Sequence, residues 1–252
     1  MRRDSVRQVV NVVVYIITIA VNILANALPL NNQTTGEISD RYPVLFTPAA
    51  YVFGIWLVIY AFLGAFTIYQ ALPQQRANPH LRRIGYLFAL SGLANSIWIV
   101  FWHYNLLLLS LLAMLVLLGS LIAIYLRLDI GRRTVSRVER WLIHVPFSIY
   151  LGWITVATIA NVSVLLFASG WDGFGIDAVT WTVLVLIVGV AITLAVLATR
   201  LDVAYGLVIV WAYAGIYVRQ QATPAVALTA AGAALIVLAA VVVAGLKRLR
   251  AR

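Results

Sequence analysis

The chain of 252 residues is 63% hydrophobic and only 10% charged, with a mean hydropathy of +0.99. A soluble domain carries about 25% charged residues, so this composition excludes an ordinary soluble enzyme and indicates a polytopic membrane protein. The chain has no cysteine, which excludes disulfides, thiol catalysis and cysteine-based metal sites.

The apolar segments are long and continuous, without the alternation of β-barrel strands, and therefore predict membrane-spanning helices. At about 20 residues per span, the chain has room for about eight helices and little else. We predict an all-α bundle with spans at 8–28, 47–72, 85–104, 106–126, 141–168, 178–199, 202–219 and 224–246.

The net charge of +10 comes from basic residues that cluster on one side of the predicted spans. All of the 18 Lys and Arg residues except Arg41 and Arg219 fall in the two tails or in the loops after the second, fourth and sixth spans. The positive-inside rule therefore predicts a multi-pass protein of a bacterial inner membrane with both termini in the cytoplasm. This basic excess is a topology signal, and we expect no nucleic-acid partner.

The loops and the last span suggest further contacts. The outside loop 29–46 is rich in turn-forming residues, which predicts ordered structure that could cap a cavity. The inside loop 127–140 is basic, which predicts contact with anionic lipids or, alternatively, with an acidic partner. The eighth span is rich in Ala and Gly, so it can pack closely against a helix of the same chain or of a second copy in a homodimer.

Three predicted spans carry aromatic and polar residues at intervals of three and four, which places each set on one helical face. The second span carries Phe53, Trp56 and Tyr60; the third carries Asn95, Trp98 and Trp102; the fifth carries Tyr150, Trp153, Ala157 and Asn161. Most of these residues fall near the membrane centre or in its outer half. They can converge on a pocket for a large, flat, mostly apolar ligand.

Packing between helices is the alternative role for these faces, with Asn95 and Asn161 forming interhelical hydrogen bonds. Trp102 could instead belong to an interfacial aromatic belt. The first span raises the same choice, because Tyr15, Thr18, Asn22 and Asn26 share one face. These four residues can form hydrogen bonds to neighbouring helices. Alternatively, they extend the pocket or bind a partner.

Ionisable residues are absent from the deep part of the predicted spans, which argues against an ion-coupled transporter. The three histidines, His80, His103 and His144, are far apart in sequence and near the membrane surfaces, so we predict no metal site.

Three motifs occur in order along the chain. They comprise Pro48, Tyr51, Val52, Trp56 and Tyr60; Asn95 and Trp98 followed by Phe101 and Trp102; and Tyr150, Leu151, Trp153, Ala157, Thr158 and Asn161. Together they resemble the TspO/MBR family, the tryptophan-rich sensory proteins that include the mitochondrial translocator protein. The resemblance implies a five-helix core at 47–199, with one extra helix in 1–46 and two in 200–252.

The resemblance also implies a ligand, either a tetrapyrrole such as protoporphyrin IX or haem or a sterol-like lipid, bound for sensing or transport. Trp56 and Trp153 would be ring-stacking walls, and Asn95 and Tyr150 would be polar anchors. The remaining implied ligand-binding residues are Tyr60, Trp98, Trp102, Ala157 and Asn161. Thr158 can instead bond back to its own helix, and His103 could act as an axial haem ligand.

Equilibrium binding requires no cofactor and no catalytic residue. One alternative is an enzyme that degrades porphyrin with light and oxygen through Trp56 and Trp153. The other is a structural subunit whose extra helices dock a larger membrane complex.

Overall fold

The computed structural model describes residues 2–28 and 30–250, and no β-strand occurs within these ranges. The helices are α1 (Arg2–Ala27), α2 (Thr35–Arg41), α3 (Ile55–Ala71), α4 (Pro79–Ile84), α5 (Leu87–His103), α6 (Leu107–Arg127), α7 (Arg137–Glu139), α8 (Val145–Ala168), α9 (Ala178–Arg200), α10 (Val203–Arg219) and α11 (Pro224–Arg250). A π-helical turn at Arg140–His144 joins α7 to α8, and a 3₁₀ turn at Ala50–Gly54 leads into α3.

The eight predicted spans coincide with the apolar helices α1, α3, α5, α6, α8, α9, α10 and α11. Six of them are long and apolar enough to cross a membrane, and α5 and α10 are apolar helices of 17 residues. At 1.5 Å per residue, 17 residues extend about 25 Å, slightly less than the hydrocarbon thickness of about 30 Å. The prediction of a polytopic all-α membrane bundle is confirmed.

Polar residues at helix starts satisfy backbone N–H groups that the helices themselves leave free. Thr34 with Glu37 and Ser136 with Glu139 form reciprocal capping boxes at the starts of α2 and α7. Asp177 accepts two backbone N–H bonds at the start of α9. These short polar segments therefore mark where the chain leaves the apolar environment.

Five helices form a closed ring. Helix α1 packs on α3 and α5, α5 packs on α6, α6 packs on α8, and α8 packs on α3. The largest fully buried side chains on these helices include Phe66, Phe147 and Tyr150. The ring therefore encloses an aromatic interior to which α3, α5 and α8 all contribute.

The other three apolar helices form a second layer beside the ring. Helix α10 packs on α8, and α11 packs on both α10 and α9. In this packing α1 closes the ring and α9 lies in the outer layer. The predicted division of the chain at residues 46 and 199 stays a prediction. The Ala-rich face of α11, including Ala230 and Ala233, is buried within this same chain.

The two ends of the bundle are held by different polar contacts. At one end, Asp4 pairs with Arg82, and Asp129 pairs with Arg200. At the opposite end, Asp40 pairs with Arg219. The loops that carry most of the basic residues therefore contact one another at a single end of the bundle.

Candidate functional site

The aromatic faces of α3, α5 and α8 meet inside the ring, with Trp56 at their centre. The Trp56 ring is stacked on Tyr60 at 5.3 Å between centroids and on Trp98 at 5.9 Å. Tyr150 and Trp153 each meet it edge-on at 6.1 Å. Offset-stacked and edge-to-face pairs contribute about 0.5–1.5 kcal/mol beyond the area they bury. The three faces thus point toward one another rather than toward lipid.

Two cavities adjoin this cluster beneath α2. The larger, of about 530 Å³, lies between α1, α2, α3 and α5, and the smaller, of about 40 Å³, extends toward α8. Both are bordered by Thr35, Phe53, Trp56 and Trp98. Ligand pockets in proteins typically measure about 300–1,000 Å³. Only the larger cavity therefore has room for a ligand of drug-like size, whereas the smaller has room for about one water molecule.

The predicted site residues are distributed between these two cavities. Trp56 and Trp98 line both, and Tyr60 lines the larger one. The smaller one is also lined by Trp102, Trp153, Ala157 and Asn161. Asn95 and Tyr150 line neither of them.

Asn95 and Tyr150 lie behind the cavity walls. The Asn95 side chain accepts a hydrogen bond from Asn22 at 2.7 Å, and Tyr150 packs edge-on against Trp56. Both are fully or almost fully buried. These two residues thus hold the wall residues in place, and the predicted role of polar anchor stays a prediction.

Several buried polar atoms at the aromatic cluster have no hydrogen-bond partner among the described residues. They include Nε1 of Trp98, Nε1 of Trp153 and Oδ1 of Asn161. The Asn161 amide nitrogen does donate to Ser110 Oγ at 3.1 Å. A buried polar group without a partner costs free energy, so each of these atoms calls for an explanation. The two indole nitrogens have almost no accessible surface in this packed interior.

Helix α1 supplies cavity residues that the sequence left undecided. Asn22, Ile23, Asn26 and Ala27 line the larger cavity. The same face also bonds to other helices, because Tyr15 donates to the Tyr60 carbonyl at 2.9 Å. The regular spacing of the polar residues on this face was the sequence signal for their role. Different residues of the face pack against other helices and line the cavity, so α1 serves both predicted roles.

Helix α2 lies in the segment that was predicted to be able to cap a cavity, and it borders both cavities. Thr35 and Gly36 of α2 line the larger cavity, and the Trp102 indole donates to the Thr35 carbonyl at 3.3 Å. Hydrogen bonds from the Thr34 backbone and hydroxyl lower the pKa of Glu37 below its usual value. Helix α2 is thus stabilised by the capping box at its start and by the hydrogen bond from Trp102 of α5.

The remaining sequence predictions have simpler outcomes. Thr158 donates to the Ile154 carbonyl at 2.7 Å, so it bonds back to its own helix as expected. His103 is fully buried, with Nδ1 2.7 Å from the Ile99 carbonyl, and it lines neither cavity. His103 therefore does not border a cavity in which it could act as an axial ligand to a bound haem. In the described part of the chain, no three His, Asp or Glu side chains come together as a metal-binding group.

These features define a polytopic helical membrane protein with an aromatic-walled cavity between α1, α3 and α5, bordered also by the exposed side chains of Ile23 and Leu57. A family model described as TSPO-like protein matches residues 8–243. Because this match covers nearly the whole chain, the protein belongs to the TSPO-like protein family, and the resemblance seen in its motifs is confirmed. The match begins in α1 and ends in α11. No match was found among curated proteins or among solved structures.

Proposed function

We propose that this protein is a membrane receptor or carrier that binds a hydrophobic ligand in the larger cavity. The proposed ligand class is a tetrapyrrole such as protoporphyrin IX or haem, with a sterol-like lipid as the related possibility. The observation that carries the proposal is a cavity of about 530 Å³ walled by Trp56, Tyr60 and Trp98 and covered by α2.

The chemistry of the walls supports this ligand class. Three aromatic side chains provide apolar faces for a flat ring system. Polar side chains at Asn22 and Asn26 provide hydrogen-bonding groups at the same cavity. Family membership supports a ligand-binding or transport function in general terms.

The arrangement favours binding over the alternative of tryptophan-dependent porphyrin degradation. Trp153 lines the smaller cavity and meets Trp56 edge-on. A ligand in the larger cavity would contact Trp56, whereas Trp153 lines only the smaller cavity. This difference supports a binding role over the paired catalytic role that the enzyme hypothesis gives to the two indoles.

The test is a titration of purified protein with protoporphyrin IX, followed by intrinsic tryptophan fluorescence. We expect saturable quenching for the wild type and at least about tenfold weaker binding for Gly36→Phe, because the added ring occupies the cavity. An added Cβ at Gly36 meets no atom within 4 Å, so the backbone tolerates the substitution. Tenfold corresponds to about 1.4 kcal/mol.

Gly232→Phe is the matched control, because Gly232 lies on α11 away from both cavities and its added Cβ also meets no atom within 4 Å. The control should bind like the wild type. Equal affinities for all three proteins, or no saturable response to porphyrins and sterols in the wild type, would contradict the proposed site.

We also propose that the protein resides in a bacterial inner membrane with both termini in the cytoplasm. The clustering of basic residues at one end of the bundle supports this orientation, because positively charged loops stay preferentially on the cytoplasmic side.

A further inference from the structure

A second and much larger groove lies outside the ring, between α3, α8 and α10. It measures about 1370 Å³ and shares none of its lining residues with the two aromatic cavities. Helix α3 separates them, with Ile55, Val58 and Phe62 on the groove side and Trp56 and Tyr60 on the ring side. The groove is therefore an independent feature of the molecule.

Most of the groove wall is apolar. Helix α10 contributes Val203, Leu207 and Trp211, which follow one another at intervals of four residues. At 1.5 Å per residue this row is about 12 Å long. Val58 and Leu207 remain 46% and 48% exposed, so the described chain leaves this wall largely uncovered. Such a surface inside the bilayer accommodates hydrocarbon chains.

One end of the groove is basic. Arg137 and Arg140 border it from the turn before α8, and Arg248 borders it from the end of α11. Among the residues that the structure describes, none that lines the groove is acidic. The three arginines lie at the end of the bundle where the basic loops cluster. The groove thus combines an apolar wall with a positive mouth.

The acidic residues at this end are engaged elsewhere. The pairs are Asp4 with Arg82, Asp129 with Arg200, Glu139 with His80, and Asp202 with Tyr125. No described residue forms an ion pair with Arg137, Arg140 or Arg248. In addition, Nε of Arg140 is buried and has no hydrogen-bond partner among the described residues. The positive charge at the mouth is therefore not compensated within the described chain.

We propose that this groove binds an anionic phospholipid of the surrounding leaflet. Its phosphate would lie at Arg137, Arg140 and Arg248, and an acyl chain would follow the apolar row of α10. Basic pockets between transmembrane helices on the cytoplasmic side are suited to anionic lipid headgroups. Arginine suits this role because its planar guanidinium donates two hydrogen bonds to one phosphate.

Native mass spectrometry of the detergent-purified full chain tests this site with added phosphatidylglycerol or phosphatidylcholine. We expect the wild type to retain phosphatidylglycerol preferentially. The triple variant Arg137→Gln, Arg140→Gln, Arg248→Gln should bind it about 100-fold more weakly, since each basic residue near the surface contributes about fivefold. The variant Ala204→Trp, which fills the apolar part of the groove without changing charge, should also lose the lipid.

The matched control carries Arg83→Gln, Arg133→Gln and Arg250→Gln, three arginines near the same end that do not line the groove. This control should keep the preference for phosphatidylglycerol, and porphyrin binding should be unchanged in every correctly folded variant. Equal retention of both lipids by the wild type would overturn the proposal, as would equal losses in the two triple variants. The proposal would also be overturned if protoporphyrin IX displaced the lipid and the groove variants lost binding of porphyrin only. That result would show that the groove binds the porphyrin and not a phospholipid.

Discussion

Single polar side chains inside the bundle determine where the helices meet. Asp202 shows this most clearly, because its carboxylate is 3% exposed and caps the start of α10. It accepts hydrogen bonds from Tyr125 at 2.8 Å and Ser148 at 2.7 Å. One side chain thus joins α6, α8 and α10, and links the ring to the outer layer.

Replacing Asp202 by Ala should destabilise the protein by about 2–4 kcal/mol, because it leaves two buried hydroxyls and a helix N-terminus without their acceptor. Asp177→Ala is the control, since it removes the exposed N-cap of α9. This substitution should lower the free energy of unfolding by about 1 kcal/mol. Thermal unfolding in detergent measures both. A loss for Asp202→Ala no greater than for Asp177→Ala would contradict the linking role.

At the scale of elements, α10 connects the ring to the outer layer by close helix contacts. Gly206 faces Val241 of α11, and Gly152 of α8 faces Val208 of α10. Near the opposite end of α10, Gly215 faces Val52 in the turn before α3, and its carbonyl accepts from the Ala49 N–H at 3.1 Å. Small residues permit this approach, which dispersion contacts then stabilise.

Gly215→Ala should therefore destabilise the protein by about 1–3 kcal/mol, the usual cost of overpacking. An added Cβ would overlap Cγ2 of Val52, and Pro48 lies close beside it. The control Gly232→Ala adds a Cβ where nothing lies within 4 Å and should leave stability equal or slightly higher. Thermal unfolding of the Gly215→Ala and Gly232→Ala variants measures this difference. Equal stability of the two variants would contradict the prediction and would show that α10 can move away from Val52 without loss of stability.

For the whole molecule, the distribution of charge supports the proposed orientation with both termini in the cytoplasm. The basic loops contact one another through Asp4 with Arg82 and Asp129 with Arg200, whereas Asp40 pairs with Arg219 at the opposite end. An even number of crossings returns both termini to one side. In the proposed orientation, the cavity cover α2 lies on the outer side, and the basic mouth of the groove lies on the inner side.

Cysteine accessibility tests this orientation cleanly because the natural chain has no cysteine. In the proposed orientation, Ser169→Cys lies in an outer turn and should react with a membrane-impermeant maleimide in intact spheroplasts. Thr134→Cys would then lie in an inner loop and should react only after permeabilisation. Both positions are exposed, so burial does not confound the comparison. The reverse labelling pattern would show that the positive-inside rule fails for this chain.

The sequence by itself determined the class of fold, the number of apolar helices and the faces that carry the aromatic residues. These properties follow from local composition and helical periodicity, which act within each segment. The positions of Trp56, Trp98 and Trp153 on inward faces could be predicted for that reason. The motifs also sufficed to indicate the family.

Only the tertiary structure decided which helices are neighbours. It placed α1 in the ring and α9 outside it, brought Asn22 to Asn95, and divided the predicted site between a large and a small cavity. It also joined Arg248 to Arg137 and Arg140 at one groove. Apolar helices in lipid have little hydrophobic preference for one neighbour over another, so small steric contacts and long-range hydrogen bonds select the arrangement.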